Sequence, residues 1–292
     1  MNFNELITFK KAAELLNFSK TAKEFNYSQS AVTVQIKNLE EEFGIQLFDR
    51  IGKNVRLTPD GDILLHHASK IINAVENARE NVGTTFPKKN LLRIGCIDSI
   101  CSSQMPKVLK KMHEKEDIFP VKITTSSPSK LLEMMDRNEI DIVYILDKPI
   151  HNDNWIKAYD KEEKMMFVTF SNSPLSKKSK LSINDIIKED FYLTETNDNY
   201  RFALDQKLAE FNLQVDPILE VSNTDVILDT ICNGTGVTFL PYFAFKERLE
   251  SHEISVIDVD DIQMSMRKQI FYHKDKYLTE EMKSFIKIID EI

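Results

Sequence analysis

Two clusters of hydroxyl side chains stand in short polar stretches that follow apolar runs of the chain. They are Asp98-Ser99-Ile100-Cys101-Ser102-Ser103 and Ser126-Ser127-Pro128-Ser129. Hydroxyls and free N–H groups at helix starts bind small polar or anionic groups. Helix capping alone would explain single serines, but two clusters at the same end of one sheet favour a small-molecule site.

A second set of residues, near the N-terminus, has the side-chain types that read base-pair edges. It lies on one face of a predicted helix, opposite an apolar stripe, and comprises Gln29, Ser30, Thr33, Val34 and Lys37. Glutamine bonds bidentately to adenine, and threonine and valine methyls meet the thymine methyl. A polar solvated face is the alternative for a lone helix. The short capped helix that precedes this one favours a helix-turn-helix that enters the major groove.

Three helices are predicted to position that face. The first has its core face at Leu6, Phe9, Ala13 and Leu16. We expect Ser19 to cap the second, and Ser28 to cap the third, which ends at Gly44. The predicted core face of the third helix is Val32, Ile36, Leu39 and Phe43.

A short hairpin is predicted next, because two β-type runs flank Gly52-Lys53. Arg50, Lys53 and Arg56 lie in this wing with no acidic residue between them. They are candidate phosphate contacts, although a solvated hairpin would have a similar composition.

A long helix follows, with Thr58 as its N-cap and Pro59 in its first turn. Its apolar residues repeat at heptad spacing: Leu64, Ala68, Ile71, Val75, Ala78 and Val82. A seam of this kind favours dimerisation through a partner helix, because a core helix within one domain usually has a wider apolar stripe. Breakers and polar residues at 83–90 predict a hinge.

Strand and helix patterns alternate through the remaining two hundred residues. We expect strands near 91–97, 121–124 and 142–146, then near 165–170, 191–193, 218–221 and 237–240, with helices between them, the first of them at about 103–115. This alternation predicts an α/β module with two lobes and a cleft between them. An all-α winged helix-turn-helix and a long linker helix precede it.

Charge and composition limit the classes of function. The net charge of −8 argues against a general polyanion binder, while residues 1–60 carry eight basic and eight acidic side chains and are neutral. No stretch reaches the length of a membrane span and no leader pattern begins the chain, so we expect a cytoplasmic protein without membrane contact.

Enzyme chemistry and cofactors are not expected. The six histidines are scattered, no GxSxG, GxGxxG or P-loop pattern is present, and no catalytic residue is assigned. The three cysteines have no zinc-site spacing, so neither a structural metal nor a disulfide is predicted. One alternative stays open: Cys101 near a helix start, where the helix dipole lowers a thiol pKa, would suit a redox sensor.

Three runs of sequence closely resemble the N-terminal signature of LysR-type transcriptional regulators. They are Ala22-Lys-Glu-Phe-Asn-Tyr-Ser-Gln-Ser-Ala-Val-Thr, Gln35-Ile-Lys-Asn-Leu-Glu-Glu-Glu-Phe-Gly-Ile-Gln-Leu-Phe-Asp-Arg and Leu57-Thr-Pro-Asp-Gly. Leu92-Arg-Ile-Gly, Glu139-Ile-Asp-Ile-Val and Asn233-Gly-Thr-Gly-Val-Thr-Phe-Leu-Pro look like landmarks of the family's effector domain. The resemblance covers nearly the whole chain.

The resemblance implies a sequence-specific, double-stranded DNA-binding regulator that forms a homodimer or homotetramer through the linker helix. It also implies dyad-symmetric operators, contact with RNA polymerase, and an effector module like a periplasmic binding protein. The implied domains are a winged helix-turn-helix at 1–58, a linker at 59–90 and an effector domain at 91–292. Lobe I takes 91–160 and 267–292, and lobe II takes 161–266.

Matched residue by residue, the resemblance places Gln29, Ser30 and Thr33 at the bases, and Arg50 and Lys53 at the wing. Val34 stands where many members have arginine, which implies weaker affinity or thymine-rich sites. The expected effector residues are Ser99, Ser102, Ser126, Ser127, Thr196 and Asn197. The expected effector is a small polar metabolite, anionic or, since Glu195 and Asp198 are near, zwitterionic.

Overall fold

The computed structural model describes residues 2–51, 54–81 and 90–292. They fall into two units, one within Met1–Asn90 together with Asp136–Glu139, and one of Leu91–Met135 with Ile140–Ile292. The predicted hinge at 83–90 lies, apart from Asn90, outside the described residues.

Local capping sets the ends of the first three helices, α1 (Phe3–Leu15), α2 (Phe18–Glu24) and α3 (Gln29–Phe43). As predicted, the Ser28 hydroxyl accepts the Ala31 N–H at 3.1 Å, and Gly44 ends α3 with a positive φ of 68°. The prediction for α2 is wrong by two residues. Asn17, rather than Ser19, is its N-cap, since the Asn17 side chain accepts the Lys20 N–H.

The core of the N-terminal unit forms where these helices meet the wing. Val32, Ile36 and Leu39 are fully buried, as the apolar stripe predicts, but Phe43 is 45% exposed and does not belong to this core. The Phe48 ring packs edge-on against Phe9 and Phe18, at centroid distances of 5.6 and 5.2 Å. The Phe48 ring therefore packs the wing against the helices, together with Val55 and Leu57 of the second wing strand.

The wing strands β1 (Phe48–Ile51) and β2 (Asn54–Leu57) pair antiparallel, as predicted. Helix α4 (Pro59–Asn81) begins directly after them. The Thr58 hydroxyl accepts the Gly61 N–H at 2.9 Å, which confirms Thr58 as the cap.

The first lobe of the C-terminal unit is built on three parallel strands, β3 (Leu92–Cys96), β4 (Val121–Thr125) and β5 (Ile142–Asp147). Helices α5 (Asp98–Glu114) and α6 (Pro128–Asp136) follow β3 and β4. The predicted αβ alternation is confirmed. The helix that follows β3 begins at Asp98, however, rather than near Ser103.

Two long strands connect the lobes, β6 (Trp155–Phe170) and β11 (Met264–His273). They pair antiparallel from Trp155–His273 to Met165–Met264, and β11 also pairs with β5. The predicted crossing points, near residues 160 and 267, lie within these strands. The sequence did not reveal that β6 begins as early as Trp155.

The second lobe surrounds the far half of β6, which pairs with β9 (Val237–Pro241) on one edge and β10 (Ile254–Ile257) on the other. The remaining elements are a short 3-10 helix at Pro174–Lys177, α7 (Ile183–Ile186), β7 (Tyr192–Leu193), α8 (Asn199–Glu210), β8 (Leu219–Glu220), α9 (Thr224–Cys232), α10 (Tyr242–Glu250) and, back in the first lobe, α11 (Glu280–Asp290). No prediction was made for α10 or β10.

The glycine motif before β9 is a tight turn, as expected. Gly234 and Gly236 have positive φ values of 95° and 70°. A Cβ atom on Gly236 would lie 2.2 Å from the Tyr192 ring, so the chain passes too close there for a side chain. Every residue of the strand that follows is buried.

Candidate functional site

The exposed face of α3 presents polar side chains together in solvent. Gln29, Ser30, Val34 and Lys37 are exposed and Thr33 is half-buried. The Gln29 Oε1 atom accepts a hydrogen bond from Ser19 Oγ at 2.9 Å, and Thr33 Oγ1 donates to the Gln29 carbonyl at 3.0 Å. Helix α2 therefore holds the glutamine oxygen in place, while the side chain stays exposed to solvent.

Two residues at the edge of this face alter its polarity and its charge. Val34 is 55% exposed and brings an apolar group to the surface. Lys37 Nζ lies 3.0 Å from Glu41 Oε1, so its charge is partly balanced within the helix. Arg50 lies in β1 with its side chain outside the described part, and Lys53 lies outside the described residues altogether.

The predicted seam of α4 divides into two parts. Leu64 and Ala68 are buried in the core of their own unit, together with Leu65 and Ile72. Ile71 is 38% exposed, Val75 is half-buried and Ala78 is exposed. Val82 lies outside the described residues. The later part of the seam therefore offers an apolar surface that its own unit leaves uncovered.

A small cavity lies between the lobes of the C-terminal unit, and we call it the inter-lobe cavity. Its volume is about 20 Å³, roughly enough for one water-sized group. The lining residues come from the ends of β3 and β5, from the starts of α5, α6 and α8, and from the loop before α9: Ile97, Asp98, Ser99, Pro128, Leu146, Asp198, Asn199, Tyr200 and Ser222.

Of the predicted effector residues, Ser99 lines this cavity. Its hydroxyl is buried beside Tyr200 and makes no hydrogen bond of good geometry within the described part of the chain. Ser102, Ser126, Ser127, Thr196 and Asn197 are not among the lining residues. Ser102 lies one residue before Ser103 within α5, and Thr196 Oγ1 donates to Glu220 at 3.1 Å.

Acidic residues that no prediction assigned as effector ligands line the cavity instead. Burial raises the pKa of Asp98, with a further contribution from Asp225. Burial and the neighbouring Glu195 raise the pKa of Asp198 to about 6. Asp98 Oδ2 accepts the Thr224 N–H at the start of α9, 3.3 Å away, which is a direct contact between the lobes.

The cysteine environments are the reverse of those of a reactive thiolate. Burial raises the pKa of Cys101, although it lies in the first turns of α5, and the same holds for Cys96 and Cys232. The expectation that the helix start lowers the pKa of Cys101 is therefore wrong, because desolvation of the thiolate outweighs the dipole. All three thiols are free.

No helix in the described part of the chain is long and apolar enough to cross a bilayer.

Family models match both units. The model for the bacterial regulatory helix-turn-helix proteins of the lysR family matches residues 3–62, and that for the LysR substrate binding domain matches residues 87–291. The uncharacterized HTH-type transcriptional regulator YwqM of Bacillus subtilis is 30% identical over 290 residues, which cover 98% of this chain and 97% of YwqM.

Solved structures share the fold. A full-length OxyR variant of Pseudomonas aeruginosa aligns with a TM-score of 0.70 at 20% identity, over 99% of this chain and 94% of that one. Vibrio fischeri DarR in complex with DNA aligns with a TM-score of 0.53 at 17% identity, over 99% and 97%. On the two family matches and the full-length relative, the chain belongs to the LysR family of transcriptional regulators, as its sequence resemblance indicated.

Proposed function

We propose that this regulator binds a dyad-symmetric operator as a homodimer or homotetramer, with α3 of each DNA-binding unit in the major groove. A small polar metabolite, zwitterionic or anionic, binds in the inter-lobe cavity and controls the activity of the regulator. The regulator acts in the cytoplasm, through contact with RNA polymerase. Residues 1–58 read DNA, 59–90 connect and dimerise, and 91–292 sense the metabolite in the two lobes.

The exposed face of α3 is the observation that carries the DNA-binding part. Gln29 and Thr33 lie one helical turn apart, and both present groups that match adenine and thymine edges. DarR, which has the same fold, was solved in complex with DNA. The family match, rather than that fold likeness, supports the same partner here.

Replacing Gln29 by alanine is expected to cost about 1 to 3 kcal/mol at the best operator and to relax base choice at one position in each half-site. The reason is that its amide N–H groups are free for a base while Ser19 holds its oxygen. Titrating the parent and the variant against matched operators measures both effects.

The wing supplies the control for that measurement. Lys53→Ala is expected to weaken binding to all sequences alike and to reduce the salt dependence by about one counterion. If Gln29→Ala binds the operator with unchanged affinity and unchanged base preference, α3 is not the helix that recognises the bases.

The buried hydroxyl of Ser99 supports the sensing part. Buried polar atoms are almost always paired, so an unpaired hydroxyl at a cavity wall indicates a ligand that completes it. Both lobes contribute to the wall of the cavity. Ser99 lies in the first turn of α5 in the first lobe, and Asp198 and Ser222 come from the second lobe. A ligand there would favour one lobe arrangement over another.

We expect Ser99→Ala to weaken binding of the metabolite by at least about tenfold and to abolish the effect of the metabolite on transcription. The affinity of the protein for its operator should stay the same. Protein stability should change little, since the hydroxyl lies beside Tyr200 but makes no hydrogen bond of good geometry with the described residues. Calorimetry with candidate metabolites and a reporter assay measure this, and Ser102→Ala is the matched control. Equal metabolite affinity in Ser99→Ala and the parent would remove this cavity from the proposal.

We infer no catalytic role for the chain. Its relatives are regulators by name, and the cavity holds no nucleophile paired with a base among its lining residues.

A further inference from the structure

The side chains that line the inter-lobe cavity carry negative charge and no positive charge. Asp98 enters from the start of α5 and Asp198 from the cap position of α8, and no lysine or arginine is among the lining residues. Arg201, one turn along α8, pairs with Asp205 at 3.0 Å and with Glu220 at 3.7 Å. Its charge is already balanced within the second lobe.

A carboxylate of the chain lies at each of two helix starts near the cavity, although the Asp198 side chain makes no capping hydrogen bond to α8. Asp98 accepts the Thr224 N–H from α9, and Asp198 stands at the N-terminus of α8. A ligand anion at these positions would meet a carboxylate at close range, where like charges repel strongly in a partly buried site. The cavity is therefore poorly suited to an isolated carboxylate or phosphate.

A third group points to a ligand independently of these charges. Ser99 is 1% exposed and lines the cavity beside the Tyr200 side chain, and its hydroxyl makes no hydrogen bond of good geometry with any described residue. A hydroxyl both donates and accepts, so it can add a third, weaker acceptor for a cationic donor to the two carboxylates. Three acceptors around a space of one water-sized group match the three N–H donors of a primary ammonium group.

We propose that the effector is a small primary amine whose protonated amino group binds between Asp98, Asp198 and Ser99. The inference rests on the proposed effector site and narrows its ligand class from polar metabolites to amines such as amino acids, amino alcohols or diamines. A metal ion fits less well. In the described part of the chain, Asp98 and Asp198 have no third carboxylate oxygen, thiol or imidazole within 4.8 Å of both to complete a ligand set.

The surrounding charges set the pH dependence of this binding. Burial, together with Glu195 and Asp98, keeps the pKa of Asp198 at about 6, and burial with Asp225 raises the pKa of Asp98. Burial also raises the pKa of Tyr200, a lining residue on α8, and of Asp147, which lies at the end of β5 beside the lining residue Asn199. An ammonium group binds the carboxylate form, so affinity is nearly full about one pH unit above 6 and falls as the pH drops through 6.

The test uses the head group alone. The full chain is titrated with methylammonium at constant ionic strength, and the unfolding midpoint is followed at about pH 7.5 and about pH 5.0. We expect a saturable rise at the higher pH with about tenfold weaker affinity at the lower one, as a pKa near 6 requires. Tetramethylammonium, which has no N–H donor, should give none. Asp98→Asn and Asp198→Asn should lose the rise, and Asp216→Asn, an exposed acid, should keep it.

Two outcomes overturn the amine assignment. A saturable rise with acetate that Ser99→Ala abolishes would show an anion site and leave the effector cavity in place. If methylammonium gives no saturable rise in the unfolding midpoint, the cavity does not bind an ammonium group. The same conclusion follows if Asp98→Asn and Asp198→Asn both keep that rise. Neither outcome depends on the transcriptional response of Ser99→Ala, so the sensing role is tested separately.

Discussion

Ile71→Glu should split the oligomer and abolish specific operator binding, while each DNA-binding unit stays folded. Ile71 lies on α4 beyond the residues that its own core buries, and it is 38% exposed. In a paired helix it would lie at the centre of the apolar contact, where each carboxylate would be buried without a partner. We expect dimerisation to weaken by about 100-fold or more.

Sedimentation measures the assembly and operator titration measures its consequence. Glu76→Lys, an exposed charge change on the same helix away from the seam, should leave both unchanged. Because Ile71 is already partly in solvent, the unfolding midpoint of the variant should stay near that of the parent. An intact dimer with full operator affinity in Ile71→Glu would exclude α4 as the dimer contact.

Lys268→Met should lower stability by about 3 to 5 kcal/mol, because it leaves a buried carboxylate without its counter-ion. Lys268 Nζ lies 2.9 Å from Glu163 Oε2, and both side chains are only 8% exposed. The Phe243 N–H donates to the other Glu163 oxygen at 3.1 Å, and the Phe243 ring lies 5.0 Å from the ammonium. The pair joins the two crossing strands, β6 and β11, to the start of α10.

The matched variant is the double change Lys268→Met with Glu163→Gln. It removes both charges and keeps an acceptor for the Phe243 N–H, so most of the lost stability should return. Thermal unfolding compares the parent, the two single variants and the double variant, and a difference of this size shifts the midpoint by on the order of 10 °C. A double variant no more stable than Lys268→Met would contradict the role of the unpaired carboxylate.

Features fixed by neighbours in sequence were predictable. Ser28, Gly44 and Thr58 cap their helices through groups three or four residues away, so the residue types suffice to locate them. The cap of α2 was misplaced because Asn17 and Ser19 are both good capping residues, and tertiary packing of Phe18 decides between them.

The seam of α4 shows a limit of periodicity. Leu64 and Ala68 continue the heptad, yet they pack inside their own unit, since spacing specifies a buried face and not its partner. The start of α5 was placed five residues late for a related reason. Serines favour turns, so the serine cluster predicted a loop here. Because Ile100, Met105 and Val108 are buried on one face, the helix instead begins at Asp98.

The sequence indicated only part of the charge of the inter-lobe cavity, since Asp198 was expected near the effector and Asp98 was not recognised as its partner. The walls of the cavity come from residues about one hundred positions apart, and only the fold brings Asp98 to Asp198 and Ser222. Ser99 was found because a hydroxyl after a buried strand has a positional signal. Asn199 and Tyr200 have no such signal, since both would serve equally well on the outer face of a helix.

Selection of bound duplexes from a random DNA library by the full-length protein tests the central claim most directly. We predict enrichment of one sequence with two inverted half-sites, rich in A·T pairs where Gln29, Thr33 and Val34 meet the bases. The half-site centres should lie about one helical turn apart, or a multiple of it. A bound pool that stays random, or a site without dyad symmetry, would contradict it.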